Sequence, residues 1–332
     1  MTRFALGSIA LVFAAIWAGG ARADGLPVLG VEVGPSGVTT PTAEGPRYVA
    51  LRAGPDTLVA RIDRGSGEVP GSRLVAGRYT IPAVAYDGSA AGLSADESTL
   101  VIIRPRLGFP RKETELVVLA GRSLRIRERL TLAGDFSFDA LSPDGRLLYL
   151  VEYVSPRDPT KYLVRLYDLD TNRLVREPII DPREVGDVMR GTPLTRASSP
   201  DGRWAYTLYD GGEGGHPFIH ALDTVARTAR CIDLHGVQGS PIDTASLVVS
   251  PDGGTLTLVN PDYAKPFAVV DTQTFEVTGP TATSPTAADE DDSGSRIALV
   301  GGIVLALLLL LGGRRLLRRR QEPLDVRGGV AP

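Results

Sequence analysis

Between Arg47 and Val277 the chain repeats one pattern: short runs that alternate apolar and polar positions, separated by turns rich in Pro, Asp and Gly. The phrase LSPDGRLLYLVEY, starting at Leu141, has near-copies in LSADESTLVIIRP from Leu93, SSPDGRWAYTLYD from Ser198 and VSPDGGTLTLVN from Val249. A second phrase falls between them, an apolar run entering an acidic or polar turn and leaving as another run. It occurs as TLVARIDRGSGEV (Thr57), ELVVLAGRSLRI (Glu115), YLVRLYDLDTNRLV (Tyr162), PFIHALDTVARTARCIDL (Pro217) and PFAVVDTQTFEVT (Pro266). Period-two alternation of Val, Leu, Ile and Tyr predicts strands. One unit predicts a run ending at Ala140, then Leu147–Tyr153, Tyr162–Asp168 and Arg173–Ile179. No window before residue 297 sustains a 3.6-residue period over helical length.

The aspartates of the first phrase, Asp96, Asp144, Asp201 and Asp252, are 48, 57 and 51 residues apart. Four antiparallel strands at a near-constant spacing of this size predict an all-β fold, the β-propeller. We read about five four-stranded blades, with Val28–Val33 supplying a strand that closes the ring. Six blades is the alternative, because Asp24 to Gly45 is hard to assign.

The turn residues have local physical reasons. In Ser142-Pro143-Asp144-Gly145 the proline presets φ for a type I turn and the glycine tolerates a positive φ. The serine hydroxyl is placed to bond a backbone N–H. Pro200-Asp201-Gly202 and Pro251-Asp252-Gly253 repeat the arrangement, whereas Asp96-Glu97 lacks both Pro and Gly and predicts a weaker turn. These aspartates are therefore assigned to turn geometry rather than to catalysis. Together with DLDTNRLV and VVDTQTFEV, the phrases resemble the blade motifs of TolB-like and other WD-like bacterial β-propellers, over roughly Arg47 to Val277. No Gly-His or Trp-Asp dipeptide punctuates the units as in eukaryotic WD repeats. The resemblance implies a propeller that serves as an interaction platform, and in some members an enzyme or a sensor; it transfers a fold and no active site.

The ends of the chain change the picture of where this domain works. Arg3, the apolar run Phe4 to Trp17 and Ala21-Arg22-Ala23 predict a secretory signal peptide over 1–23. Residues 24–279 form the propeller, and 280–296, an acidic Pro/Thr/Ala stretch, cannot bury enough apolar surface to fold and read as a stalk. Residues 297–317 would span about 31 Å as a helix, one hydrocarbon thickness. The basic tail, 318–332, follows Arg314 and Arg315 and carries Arg318, Arg319 and Arg320, a positive-inside signal. The expectation is a single-pass cell-membrane protein, propeller outside and C-terminus in the cytoplasm. Asp24 to Arg296 holds 28 basic against 37 acidic residues, a net charge of −9, which disfavours nucleic acid as a partner. Cys231 is the sole cysteine, so no internal disulfide forms, and a small buried hydrophobe is its expected role.

Few residues point to chemistry. If the Ser-Pro-Asp-Gly and DLDTN turns share one face, the longer connections emerge on the other, where loops on a rigid scaffold bind. Arg104, Arg106, Arg111, Lys112, Arg157 and Lys161 would form an anion or acidic-partner patch there. Glu213, His216, Tyr263 and Lys265 complete the binding candidates. His220 falls in a strand, about 13 Å from His216 along an extended chain, too far for a shared ion. His235 has no evident partner, and Asp168, Asp170 and Asn172 lack the glycine and further oxygens of a calcium loop. No catalytic, metal or cofactor motif is present. The expected role is a module that binds an extracytoplasmic protein or envelope component. A lactonase-like hydrolase with a central-channel metal and a ligand sensor are the alternatives.

Overall fold

The structure, a computed structural model, describes residues 37–184, 189–212, 215–234, 242–260 and 266–279. The expected signal peptide, stalk, membrane segment and tail lie outside them, as do Val28–Val33, Glu213, His235, Tyr263 and Lys265. Among the described residues every regular element is a strand, and no helix is long and apolar enough to cross a membrane.

The strands form five antiparallel sheets, each built from consecutive strands. The first contains β1 (Arg47–Ala53), β2 (Asp56–Ile62) and β3 (Gly71–Val75), with Val38 bridged to Tyr48 along its inner edge. The second contains β4 (Thr99–Ile103), β5 (Glu113–Ala120) and β6 (Ile126–Ala133), with Leu93 bridged to Leu100. In the third, β7 (Phe136–Leu141), β8 (Leu147–Tyr153), β9 (Lys161–Asp168) and β10 (Arg173–Leu174) run in order, and β11 (Met189–Arg190) also pairs with β9. The fourth is β12 (Pro193–Ser198), β13 (Trp204–Tyr209), β14 (Phe218–Asp223) and β15 (Thr228–Asp233). The fifth is β16 (Ser246–Val249), β17 (Thr255–Val259), β18 (Ala268–Asp271) and β19 (Val277–Thr278). Sequential four-stranded meanders of this kind are the blade topology of a β-propeller.

The predicted strand to Ile179 is shorter than expected. Regular pairing stops at Leu174; the chain bends at Arg176 and Glu177 and rejoins the sheet where Ile179 bridges Val164.

The second, third and fourth sheets bury both faces against their neighbours. Apolar clusters fill the spaces between the first and second, second and third, third and fourth, and fourth and fifth sheets. Sandwiched β4 is buried at every position, whereas outer β6 buries alternate residues toward its C-terminal end. Because pairing is antiparallel, connections alternate between two faces. The β7–β8 and β9–β10 turns and their equivalents lie on one, which we call the turn face; the rest lie on the loop face.

On the turn face one hydrogen-bond set recurs. Ser142 Oγ donates to Asp144 Oδ1 at 2.6 Å and accepts from Leu147 N at 3.0 Å, while Gly145 N donates to Ser142 O at 2.9 Å. Ser199 with Asp201 and Ser250 with Asp252 repeat it at 2.5 and 2.6 Å. Ser94 with Asp96 does so at 2.7 Å, and Glu97 takes the glycine position at φ 58°. The turn expected to be weaker keeps its bonds. In the first sheet Thr40-Pro41-Thr42-Ala43 has the same form: Ala43 N donates to Thr40 O at 2.9 Å and Ala43 has φ 56°. This places part of the stretch that the sequence pattern left unassigned.

Candidate functional site

The loop face is assembled from side chains that reach across sheets. The connection from Ile103 to Glu113 is held down by Asp135, in the short link between β6 and β7. Arg106 donates to Asp135 Oδ1 from Nε at 3.0 Å and Nη2 at 2.6 Å, and both side chains are almost fully buried. Arg111 N donates to Asp135 Oδ2 at 2.9 Å, and Arg111 Nε lies 3.1 Å from Oδ1. Burial, then the charge of Arg106, lowers the Arg111 guanidinium to about 10, so it stays charged at neutral pH. The Arg106 guanidinium also stacks 4.8 Å from the Tyr153 ring centre. From there an aromatic row, Phe109, Tyr153, Tyr162, Tyr209 and Phe218, crosses the loop-face ends of the second to fourth sheets.

These contacts correct the expected cationic patch. Arg106 is not a surface charge, because a desolvated guanidinium requires the buried carboxylate it has. Arg104 pairs with Glu115 at 2.8 Å, Arg111 with Asp135, and Lys161 with Asp158 at 3.1 Å. Lys112 and Arg157 are exposed and form no ion pair among the described residues. Leu107, at the tip of the anchored connection, is fully exposed.

Nearer the axis, β-bulges re-aim two inner strands. The β7–β8 register slips at Asp139 and the β12–β13 register at Leu194. Asp139 is buried and forms an ion pair with Arg196 of the neighbouring sheet. Both line a cavity of about 20 Å³, room for a water. The link from β3 to Leu93 crosses to this edge, where Tyr86 N donates to Pro193 O at 3.0 Å and Asp87 N to Leu194 O at 3.1 Å.

The largest concentration of chemically able groups is elsewhere, in a cleft of about 490 Å³ on the loop face beside the fourth sheet. Asp181, Glu184 and Met189 reach it from the link after β10, Gly211 and His216 from the β13–β14 connection, and His220, Cys231 and Asp233 from β14 and β15. Asp181 is saturated: Arg183 N and Nε donate to Oδ1 at 3.0 and 3.1 Å, and Arg183 Nη2 and Cys231 N to Oδ2 at 2.6 and 2.8 Å. Burial would raise the Asp181 carboxyl, but these donors outweigh it and hold it below the usual range. Burial, then the carboxylates of Glu184, Asp181 and Asp233, pushes the Cys231 thiol up. Burial lowers the His220 imidazole to about 4, so it is neutral at physiological pH. Carboxylate and thiol atoms of Asp181, Glu184 and Cys231 lie within 4.8 Å of one another.

Two expectations change here. Cys231 is half-buried on a carboxylate-lined cleft rather than packed as a small hydrophobe. His216 and His220 line one cleft, because the connection with Gly211 and Gly215 turns back on itself. Sequence reading missed Asp181 and Glu184, which stand about fifty residues from Cys231 with no local pattern to connect them.

No protein family and no curated protein matches the chain. Among solved structures it is similar to TolB from Acinetobacter baumannii at 18% identity and a TM-score of 0.40, over 70% of this chain and 51% of that one. It is similar to an oligogalacturonate lyase in complex with manganese at 14% identity and a TM-score of 0.42, over 64% of this chain and 52% of that one. It is also similar to the Cps50 (Swd1) β-propeller domain of Myceliophteria thermophila at 8% identity and a TM-score of 0.39, over 68% and 76%. The chain spans about half the length of the first two. The propeller assignment stands on the sheet topology above.

Proposed function

We propose that this chain is a membrane-tethered, extracytoplasmic propeller of five blades whose loop face binds a protein or another component of the cell envelope. The observation that supports it best is the unlikeness of the two faces. Turn-face connections are short, while loop-face connections differ from sheet to sheet, and the one from Ile103 to Glu113 is clamped by a buried ion pair. A clamped loop offers its exposed residues at low ordering cost, which favours binding. Leu107 and Lys112 are those residues, and Arg157 is exposed on the corresponding connection of the third sheet. Five sheets with the same inner turn favour five blades over six, with the first and fifth sheets closing the ring. The chain-end pattern supports the tether: an export signal, a span of membrane length and a basic tail.

Pull-down from solubilised envelopes tests the reading. Leu107→Asp, Lys112→Glu and Arg157→Glu together, which leave the Arg106–Asp135 pair in place, should leave the sheets folded and abolish recovery of partners; unchanged recovery rejects it. Surface proteolysis of intact cells tests the topology, since the propeller should be cleaved and the tail protected.

A further inference from the structure

We propose that Cys231, Glu184 and His220 form a binding site for one thiophilic divalent cation of the zinc class, in the loop-face cleft beside the fourth sheet. Three independent features support it. Cys231 Sγ and a Glu184 oxygen already lie within 4.8 Å of each other, close enough to share an ion that holds each ligand at about 2.0–2.3 Å, whereas His220 stands outside this group and completes the set by turning its ring toward Cys231. His220 is directly opposite Cys231 in the β14–β15 register, so both side chains leave the same face of the sheet, their Cβ atoms about 4.5–5.5 Å apart. Finally, His220 is 2% exposed and lines the cleft, yet its Nε2 has no hydrogen-bond partner. A buried imidazole nitrogen without a partner is costly to keep unless something supplies one.

Glu184, Asp233 and Cys231 line the cleft with one cation, Arg190, while Arg183 is bonded to Asp181 and the Cys231 carbonyl. Asp181 keeps its four bonds to Arg183 and Cys231, so it orients the Cys231 backbone rather than ligating. A bound dication takes the thiolate sulfur, and the thiol proton leaves to solvent. His220 donates the lone pair of one ring nitrogen. Sulfur, imidazole and one carboxylate select a borderline-soft metal over calcium or magnesium, which take oxygen ligands. The cleft is open, leaving a fourth position for water or a ligand.

The test uses the full chain in detergent, stripped by chelator and titrated with Co²⁺. The expected result is a near-ultraviolet thiolate-to-cobalt charge-transfer band that saturates at one ion per chain and is removed by Zn²⁺. Cys231→Ser should abolish the band. Glu184→Gln and His220→Gln should each weaken Zn²⁺ binding by about tenfold or more, with the far-ultraviolet spectrum unchanged for at least Glu184→Gln. The acidic run Asp289–Asp292 offers oxygen alone, so ions there give no such band. A wild-type chain without the band, a band that survives Cys231→Ser, or Zn²⁺ affinity unchanged in Glu184→Gln would each overturn the proposal.

Discussion

The inner Ser-Pro-Asp-Gly turns of the turn face and the anchored connections of the loop face use aspartate in opposite ways. On the turn face Asp144, Asp201 and Asp252 accept bonds from residues two positions away, a serine before and an N–H after. On the loop face Asp135 holds arginines 24 and 29 residues away, and Asp181 holds the backbone of Cys231, 50 residues away. Asp139, deeper between the sheets, holds Arg196 57 residues away. The first kind builds a sheet edge that any blade can reuse. The second kind fixes unlike connections to one another, and it sets up a surface that differs around the ring.

That contrast predicts unequal costs. Asp135→Ala leaves the Arg106 guanidinium buried without its carboxylate and should destabilise the chain by about 3–5 kcal/mol, read from the urea midpoint. A loss below about 1 kcal/mol would mean that the clamp is not structural. Gly202→Ala is expected to cost about 1–2 kcal/mol from its left-handed backbone alone. The added methyl would also meet the Ala95 Cβ at 2.6 Å, in the turn of the second sheet. Ser142→Ala removes one local bond set and should cost about 1 kcal/mol, with the sheet otherwise intact.

The same distinction decides what could be read before the structure. The turns are legible because donor and acceptor are neighbours in sequence, and the blade pattern follows from their spacing. Thr40-Pro41-Thr42-Ala43 escaped because the threonine pair and an alanine at positive φ replace the Asp and Gly that mark its counterparts. Arg106 was legible as a loop cation but not as a buried one, since nothing in RPRLGFPRK names Asp135. Asp181, Glu184, His220 and Cys231 come together only through the register of β14 and β15 and the link after β10.

Acid should loosen the turns. Asp168 and Asp271 are held below the ordinary carboxylate range, chiefly by the N–H groups of Thr171 and Thr274, and Asp252 chiefly by the Ser250 hydroxyl. Their folded values are depressed, so their contribution is fully present above about pH 4 and is lost as pH falls through the folded values. Urea midpoints at pH 5 and pH 3 should fall together with loss of turn-face amide protection. An unchanged midpoint at pH 3 would break the account of the turns.

The smallest effect on stability should come from the exposed cations. Lys112→Glu with Arg157→Glu should shift the urea midpoint by less than about 0.5 kcal/mol, yet reduce partner capture in the pull-down.

The central claim, that the loop face is the binding face, is tested most directly by a photo-crosslinking residue placed in living cells at Leu107, and at Val225 on the turn face, both exposed. The account predicts a discrete adduct from Leu107 and none from Val225, whereas adducts from Val225 alone would contradict it.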